Sequence, residues 1–314
     1  MNFRGLDLNL LVAMDALLTE RSTTRAGERI HLSQSAMSGA LARLRHFFDD
    51  EILTQVGQRM VLTPLGEDLV MPVREALLAI EAIVHKDQTF EPETSSRRFR
   101  IMLSDYAAIV LMSRGLTEIQ RVAPNVSVEL ISNSEGPVQA VEHGDIDLLL
   151  IARQYSSRSH PAEELFRDDY ACVVWTGNDT VGEQLTLDRY LASGHVVARF
   201  GREQRRSAEE QFVADAGIAR RIEVVAMGFS MLPQLVVGTS LIATVHSRLA
   251  RHYAQWLPLR ILQPPVEIPP IVEVMQWHNV RNEDRGLGWL REVLRRAAQA
   301  PIDAADTGYH NNRL

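Results

Sequence analysis

The segment Arg21–Phe48, RSTTRAGERIHLSQSAMSGALARLRHFF, gathers five arginines against a single acid, Glu28. Guanidinium groups at this density pair with phosphate groups, and binding of that kind weakens steeply as salt is added. Serine and glutamine side chains stand among the arginines, and such groups form hydrogen bonds with base edges. The segment is therefore a candidate nucleic-acid contact.

The charge of the whole chain restricts that contact to a local face. The 314 residues carry a net charge of −7, and residues 1–60 balance at seven basic and seven acidic residues. A general polyanion binder is thereby excluded. The alternative interpretation is an arginine-bearing, solvated face on a helical bundle. The length predicts two or three domains, and 46% hydrophobic with 23% charged residues is typical of a globular protein.

Three short helices are predicted around the arginines. Apolar residues over 6–20 recur with a helical period. Ser22 is a suitable N-cap for a second helix over 23–30, and Ser33 caps a third helix that runs to about residue 48. A tight turn separates the second helix from the third. The sequence thus predicts a helix-turn-helix.

A small hairpin follows these helices. Ile52–Val56 and Met60–Thr63 are predicted strands, with Gly57–Arg59 as the turn between them. A hairpin after a helical triplet makes a winged helix-turn-helix, whose second helix places its N-terminal residues against base edges in the major groove. The predicted contacts at the start of that helix are Ser33, Gln34, Ser35, Ser38 and Gly39. The predicted contacts with phosphates are Arg21, Arg25, Arg29, Arg43, Arg45 and Arg59.

A single long helix is predicted over Leu65–Val84, with apolar residues at steps of three and four, as in a seam that pairs with another helix. Pro72 predicts a kink or a late start, because a proline inside a helix removes a backbone hydrogen bond. The polar stretch 85–96 is a predicted linker. The winged domain therefore covers 1–64, and the linker helix and hinge cover 65–96.

Residues 97–300 alternate strand-like and helix-like segments, which predicts a mainly parallel α/β architecture in two lobes with a cleft. Residues 301–314 are predicted to be a flexible tail. The overall fold class is thus α+β followed by α/β.

Ordered motifs along the chain carry a resemblance to a known family. The run LDLNLL, RSTTRAGERIHLSQSAMSGALARLR, EIL and LTPLGEDL resembles the N-terminal signature of LysR-type transcriptional regulators. FRIMLSD, HGDIDLLL, LFRDDYACV, AGIARRIEVV and GTSLIATV are similar to the branch that holds the nodulation regulators and the regulators of salicylate, nitrotoluene and nitrophenol breakdown. Two positions depart from the pattern: Ser35, where the family often has proline, and Gly39, often a larger side chain.

The resemblance implies a mechanism as well as a fold. It implies a homotetramer built as a dimer of dimers, and a C-terminal part like periplasmic binding proteins that holds a small aromatic inducer. Two-fold pairing of recognition helices predicts an interrupted palindrome in promoter DNA. Several DNA-binding domains on one promoter predict bent DNA that the inducer relaxes. The resemblance further implies transcriptional activation with RNA polymerase as a partner, and a role in nodulation or aromatic hydrocarbon catabolism.

The first candidate inducer contact lies where a strand meets a helix, at Ser104, Tyr106 and Ala107. A hydroxyl and free backbone N–H groups at a helix N-terminus favour an anion or a phenolate. The resemblance adds further positions: Asp168, Phe200, Arg202, Phe229 and His246. Each has a simpler interpretation, since the phenylalanines suit a core, Arg202 suits an ion pair, and Ser104 suits a helix cap.

Other classes of protein find little support in the sequence. Cys172 is the single cysteine, which excludes an internal disulfide and a multi-cysteine metal site and fits a reducing compartment. We find no catalytic motif, so no enzyme activity, cofactor or metal is predicted. The N-terminus is a poor signal peptide and no run suits a membrane span, which predicts a cytoplasmic protein with no membrane contact. The alternatives are a regulator that needs a non-aromatic metabolite or no inducer, and a ligand-binding metabolic protein that does not bind DNA.

Overall fold

The computed structural model describes residues 7–85 and 89–299. The chain forms two compact units, Met1–Gln88 and Thr89–Leu314, called unit 1 and unit 2 below. Three expectations fall outside the described residues: the start of the first helix at Leu6, positions 86–88 of the linker, and the tail 301–314.

Unit 1 contains the predicted winged helix-turn-helix. Its elements are α1 (Leu8–Glu20), α2 (Thr23–Ile30), α3 (Gln34–Phe48), β1 (Leu53–Val56), β2 (Arg59–Leu62) and α4 (Pro64–His85). The predicted caps are confirmed, since Ser22 accepts from the Arg25 amide and Ser33 from the Ala36 amide. Such caps satisfy backbone donors that the helix leaves without a partner.

Close contact between α2 and α3 depends on Gly27. A Cβ at this position would lie 2.6 Å from the Leu32 carbonyl oxygen and 3.2 Å from the Met37 side chain. The turn between the helices passes through His31, whose φ of 58° is left-handed. On α3, Met37, Leu41 and Leu44 form an apolar stripe that is buried in the core of unit 1. The face of α3 opposite this stripe is thereby left for solvent.

The loop before the wing is held by polar side chains. The Asp50 carboxylate accepts hydrogen bonds from the Ile52 amide and the Thr63 hydroxyl, both at 2.6 Å. Ile52 is fully buried and has a φ of 59°, a strained conformation for a β-branched residue. These bonds therefore fix the loop in a shape that its own backbone preference disfavours.

Helix α4 continues through Pro72 from Pro64, so of the two predicted effects of this proline, a kink or a late start, the late start does not occur. Arg74 of α4 donates to the Asp15 carboxylate at 2.9 Å and to the Thr19 hydroxyl at 2.7 Å, which ties α4 to α1. Towards its C-terminal end, Ile83 and Val84 are 72% and 62% exposed. This end of the predicted seam is not covered within the described part of unit 1.

Unit 2 begins after the linker. Its strands are β3 (Arg98–Leu103), β4 (Ser127–Ser132), β5 (Leu148–Ala152), β6 (Ala162–Asp168), β7 (Tyr170–Trp175), β8 (Gly194–Phe200), β9 (Arg205–Arg206), β10 (Arg221–Ala226), β11 (Ile242–His246), β12 (Leu259–Leu262) and β13 (Ile271–Gln276). Its α-helices are α5 (Asp105–Ala107), α6 (Ser113–Val122), α7 (Pro137–Glu142), α8 (Leu187–Ala192), α9 (Ala208–Asp215), α10 (Leu232–Leu235), α11 (Ser247–Ala254) and α12 (Arg285–Gln299). A π-helical turn, Ala108–Met112, joins α5 to α6. The remaining short turns of 3-10 helix are Arg153–Tyr155, Phe229–Met231 and Asn279–Arg281.

The strands form two sheets, which define two lobes. Lobe 1 has the order β4-β3-β5-β13-β6, and lobe 2 has the order β10-β8-β11-β7-β12 with β9 beside β8. The chain passes to lobe 2 after β6 and returns through β13. The predicted pair of lobes is therefore present in unit 2.

The expected mainly parallel arrangement is wrong. Each sheet is parallel on one side and antiparallel on the other, because β13 runs antiparallel to β5 and β6, and β7 runs antiparallel to β11 and β12. Strands β6 and β12 were not predicted. They lie at sheet edges and carry charged, partly exposed side chains, so they lack the apolar runs that marked the central strands.

Candidate functional site

The start of α3 presents an exposed polar face. The side chains of Gln34, Ser35 and Ser38 are exposed, and the Ser33 and Ser35 hydroxyls lie 2.9 Å apart. Gly39 is also exposed, with no other atom within 4 Å of a Cβ built on it. The predicted base contacts therefore lie together on one accessible face of unit 1.

Three of the predicted phosphate contacts, Arg25, Arg43 and Arg59, are exposed on unit 1. Arg59 is exposed at the start of β2, and Arg43 is an exposed side chain 2.9 Å from the Asp7 carboxylate. The Arg43 hydrogen bond lowers the pKa of Asp7. Arg25 is exposed and donates to the backbone and carboxylate of Glu20. These cations stay accessible to a phosphate, since their ion pairs lie at the surface.

Arg45 has a different environment from the one expected. Its Nε donates to the Glu51 carbonyl at 2.9 Å, and its Nη2 donates to the Leu53 carbonyl at 2.7 Å. The Glu51 carboxylate lies 2.8 Å away. Arg45 therefore joins the end of α3 to the start of the wing, and much of its donor capacity is used inside the protein.

Unit 2 contains a cavity of about 450 Å³ lined by both lobes, called the inter-lobe cavity below. Five of the predicted inducer contacts line it: Ser104, Tyr106, Phe200, Phe229 and His246. Ala107, Asp168 and Arg202 are not among its lining residues. Sequence reasoning missed other lining residues: Asn133, Pro137, Ile151, Ala152, Tyr155, Tyr170, Arg205, Arg206, Ser207, Ala208, Gln211, Ile271 and Glu273.

Aromatic rings form one wall of the inter-lobe cavity. The His246 ring stacks on Tyr106 with centroids 4.0 Å apart and planes at 20°. Phe229 meets His246 edge-on at 4.8 Å, and Phe200 lies 4.9 Å from Phe229. Tyr170 approaches His246 from another side at 5.0 Å. A flat apolar ligand would find both ring faces and ring edges here.

Asp168 supports this wall from behind. Its carboxylate accepts the Tyr106 hydroxyl at 2.6 Å and the Arg248 amide at 3.0 Å, and the residue is 4% exposed. Burial raises the pKa of Asp168, although its hydrogen bonds act in the opposite direction. Asp168 therefore holds the Tyr106 ring in place. It was expected to contact the inducer directly, but it does not line the cavity.

The helix N-terminus at Ser104 does not offer the free N–H groups that were expected. The Ser104 hydroxyl accepts from the Ala107 amide at 3.1 Å, and the Asp105 carboxylate accepts from the Tyr106 amide at 3.0 Å. The Asp105 carboxylate thus binds the helix N-terminus at the point where an anionic ligand was expected. The Ser104 hydroxyl lines the cavity and keeps its own proton for donation.

Asp105 also links the two lobes. Its Oδ2 accepts from the Ser230 amide of lobe 2 at 2.7 Å. A Cβ on Gly228 would lie 2.6 Å from the same oxygen, so this approach needs glycine. A second link is the hydrogen bond from Arg205 to the Ser134 carbonyl at 2.6 Å. The lobes are therefore joined by hydrogen bonds at residues that adjoin or line the cavity.

Besides Tyr106 and Tyr170, two further buried titratable groups line the inter-lobe cavity, His246 and Glu273. Burial lowers the pKa of His246 to about 3, so the ring is neutral at physiological pH. Burial raises the pKa of Glu273 to about 8, which favours a protonated carboxyl group there. Elsewhere in unit 2, Cys172 is buried, and burial raises the pKa of its thiol to about 12. Such a thiol is a poor nucleophile.

Comparison with known proteins assigns both units to one family. A model of the bacterial regulatory helix-turn-helix protein, lysR family, matches residues 8–67, and a model of the LysR substrate binding domain matches residues 92–299. The chain belongs to the LysR family of transcriptional regulators. The predicted family, with its winged helix-turn-helix and two-lobed α/β domain, is thereby confirmed.

Similarity to related proteins extends over nearly the whole chain. This LysR-type regulator is 45% identical over 294 residues to nodulation protein D 1 of Bradyrhizobium elkanii, covering 94% of each chain. It is 43% identical over 306 residues to nodulation protein D 1 of Mesorhizobium japonicum, covering 98% of each. The predicted similarity to nodulation regulators is confirmed, and these relatives are regulators rather than enzymes.

Solved structures share the fold. Full-length OxyR from Pseudomonas aeruginosa matches with a TM-score of 0.72 and 17% identity, over 95% of this chain and 96% of that one. Full-length CbnR in complex with its target DNA matches with a TM-score of 0.58 and 15% identity, over 93% of this chain and 100% of that one. Among the described residues, no helix is both long and apolar enough to cross a membrane. The two family models, over residues 8–67 and 92–299, show that the protein is a LysR-type, DNA-binding transcriptional regulator.

Proposed function

We propose that a small aromatic compound, bound in the inter-lobe cavity, controls how this regulator acts on promoter DNA. The observation that carries the proposal is the wall of Tyr106, His246, Phe229 and Phe200 around a cavity of about 450 Å³. Cavities of this size and lining suit small aromatic ligands. Ser104 would orient the ligand by a hydrogen bond, with Tyr170 as a further wall.

The regulator acts in our proposal as an activator that binds an interrupted palindrome and works with RNA polymerase. Gln34, Ser35 and Ser38 read base edges from α3, and Ser33 and Gly39 lie beside them on the same exposed face. Arg25, Arg43 and Arg59 bind phosphates. The exposed face of unit 1 and its surface cations support this assignment.

Assembly as a homotetramer is also part of the proposal. Ile83 and Val84 are 72% and 62% exposed at the end of α4, where a second α4 could cover them. Light scattering of the full chain, compared with an Ile83→Glu variant, tests the assembly; an unchanged mass would contradict this contact.

The names of the relatives bear on the target genes. Relatives named nodulation protein D favour target genes of nodulation over genes of aromatic breakdown.

Thermal unfolding against a panel of flavonoids, salicylates, nitrophenols and aliphatic acids tests the aromatic ligand. A ligand at 100 times its dissociation constant stabilises the folded state by about 2.7 kcal/mol. For a unit of this size that corresponds to a melting temperature roughly 5–10 °C higher. A rise limited to one aromatic class, with altered binding of promoter DNA, supports the proposal. A rise with aliphatic acids alone, or with nothing, contradicts it.

A further inference from the structure

Glu273 occupies an unusual position for an acid. It lies in β13, inside the lobe 1 sheet, paired with Ala152 of β5 and Phe166 of β6. The residue is 2% exposed, and its side chain lines the inter-lobe cavity. Among the residues that the structure describes, none forms a hydrogen bond or an ion pair with its carboxyl group. A buried acid in this state stays uncharged and retains a proton to donate.

Apart from Arg205 and Arg206, the titratable groups that share the cavity with Glu273 do not supply a positive charge to it. On lobe 1 these are Tyr106 and Tyr155, with Asp168 behind Tyr106. On lobe 2, Tyr170 and His246 line the cavity, and the pKa of His246 is lowered to about 3 by burial. None of these four lining side chains, Tyr106, Tyr155, Tyr170 and His246, supplies a positive charge to Glu273.

The two cations that line the cavity belong to lobe 2 and already have partners. Arg205 donates to the Ser134 carbonyl at 2.6 Å. The Arg206 guanidinium lies 3.7 Å from the Glu210 carboxylate. Because of these contacts, neither arginine is reserved for a ligand. A site for a carboxylate would instead direct two N–H groups of one guanidinium group at the ligand.

We propose that Glu273 determines ligand specificity by donating a hydrogen bond to an uncharged acceptor, such as the carbonyl group of an aryl ketone, and that the cavity rejects the corresponding carboxylate. This proposal rests on the proposed function, because it names the chemical class of the same ligand. A carboxylate beside Glu273 would lose its hydration, and Arg205 and Arg206 could pair with it only by giving up their present partners. A ketone of the same shape avoids both costs and satisfies the buried donor.

Two probes of nearly equal shape separate these cases: 2-acetylnaphthalene, which is an uncharged ketone, and 2-naphthoate, which is an anion. Titration calorimetry with the full chain at pH 7 should show the ketone binding at least about tenfold more tightly, because the anion pays the larger desolvation cost. Glu273→Gln keeps a donor and should bind the ketone within about twofold of the wild type. Glu273→Leu removes the donor and should bind it roughly fivefold more weakly.

The pH dependence provides an independent test. The pKa of Glu273 is raised to about 8 by burial, so the donor is lost as the pH rises from 7 to 9. Wild-type affinity for 2-acetylnaphthalene should fall over this range, whereas Glu273→Gln should stay constant. The matched control is Glu267→Gln, the same substitution at an exposed position outside the cavity lining, which should follow the wild type.

Three outcomes would overturn the proposal. The first is tighter binding of 2-naphthoate, which would assign the cavity to anions through Arg205 and Arg206. The second is equal ketone binding by the wild type, Glu273→Gln and Glu273→Leu at every pH. The third is no binding of either probe. In each case the proposed function is judged separately, by whether any member of the broader ligand panel changes promoter binding.

Discussion

The protonation of Glu273 predicts an unusual dependence of stability on pH. The pKa of Glu273 is raised from 4.5 to about 8 in the folded protein. Between these values the folded state keeps a proton that the unfolded state has released. The free energy of unfolding therefore falls as the pH rises through this window, by about 1.4 kcal/mol per pH unit. Below pH 4.5 Glu273 is protonated in both the folded and the unfolded state, and it no longer makes the free energy of unfolding depend on pH.

Glu273→Gln removes this dependence, because an amide does not titrate. From pH 4.5 to pH 7 is about 2.5 pH units. At pH 7 the free energy of unfolding of Glu273→Gln should therefore exceed that of the wild type by up to about 3 kcal/mol, which is the advantage of the variant. The advantage should grow from near zero below pH 4.5 to its largest value above pH 8. Relaxation around an ionised carboxylate would reduce the total but not its sign.

Urea unfolding followed by tryptophan fluorescence measures this difference. Trp175, Trp256, Trp277 and Trp289 all lie in unit 2, so the signal reports on the unit that contains Glu273. Subtracting the variant from the wild type at each pH removes the contribution of every other titrating group, and Glu267→Gln serves as the control. A difference that stays constant from pH 5 to pH 8 would refute the reasoning.

Four further substitutions test the DNA face and the cavity. Gln34→Ala should relax the choice of sequence at a cost of roughly 1–3 kcal/mol, and unchanged site preference in a competition assay would remove its assigned role. Arg43→Ala should weaken binding to all sequences alike and reduce the slope of log affinity against log salt by about 1, whereas an unaltered slope would mean no phosphate contact. Arg45→Ala should also lower the stability of the winged domain by roughly 1–3 kcal/mol, because it removes bonds to the wing; a variant that melts like the wild type would contradict this. Ser104→Ala should lose induction in a reporter assay while it retains promoter binding, and normal induction would exclude Ser104 from the ligand site.

The winged domain was predictable because its signals are local. Ser22 and Ser33 cap helices that follow them directly, and the stripe of Met37, Leu41 and Leu44 lies within one helix. The function of Arg45 was not predictable in the same way. Its partners are carbonyl groups of a loop whose path depends on the bonds of Asp50. An arginine near the end of a recognition helix gives no indication in sequence of which partner it has.

The cavity was predicted less completely, for a related reason. Ser104 was found because it precedes a helix, but Asp105 was missed, since its partner Ser230 is distant in sequence. Glu273 alternates with apolar residues and therefore resembles a solvent-facing position on a half-exposed strand. The neighbours of β13 on both sides, which cover Glu273, are set by the order of strands in the sheet. That order is a tertiary property, although an acid within an otherwise apolar strand is a usable signal.

The position of β13 between β5 and β6 has a consequence for synthesis. Lobe 1 stays incomplete until β13 emerges from the ribosome, roughly 100 residues after β6, or about 5–20 s at ordinary elongation rates. During this interval β5 and β6 present open edges, which are prone to pair with other chains. Lobe 2 is made within the same interval, so the two lobes mature together rather than one after the other. Unit 1, whose described elements are all local in sequence, can fold while unit 2 is still being made.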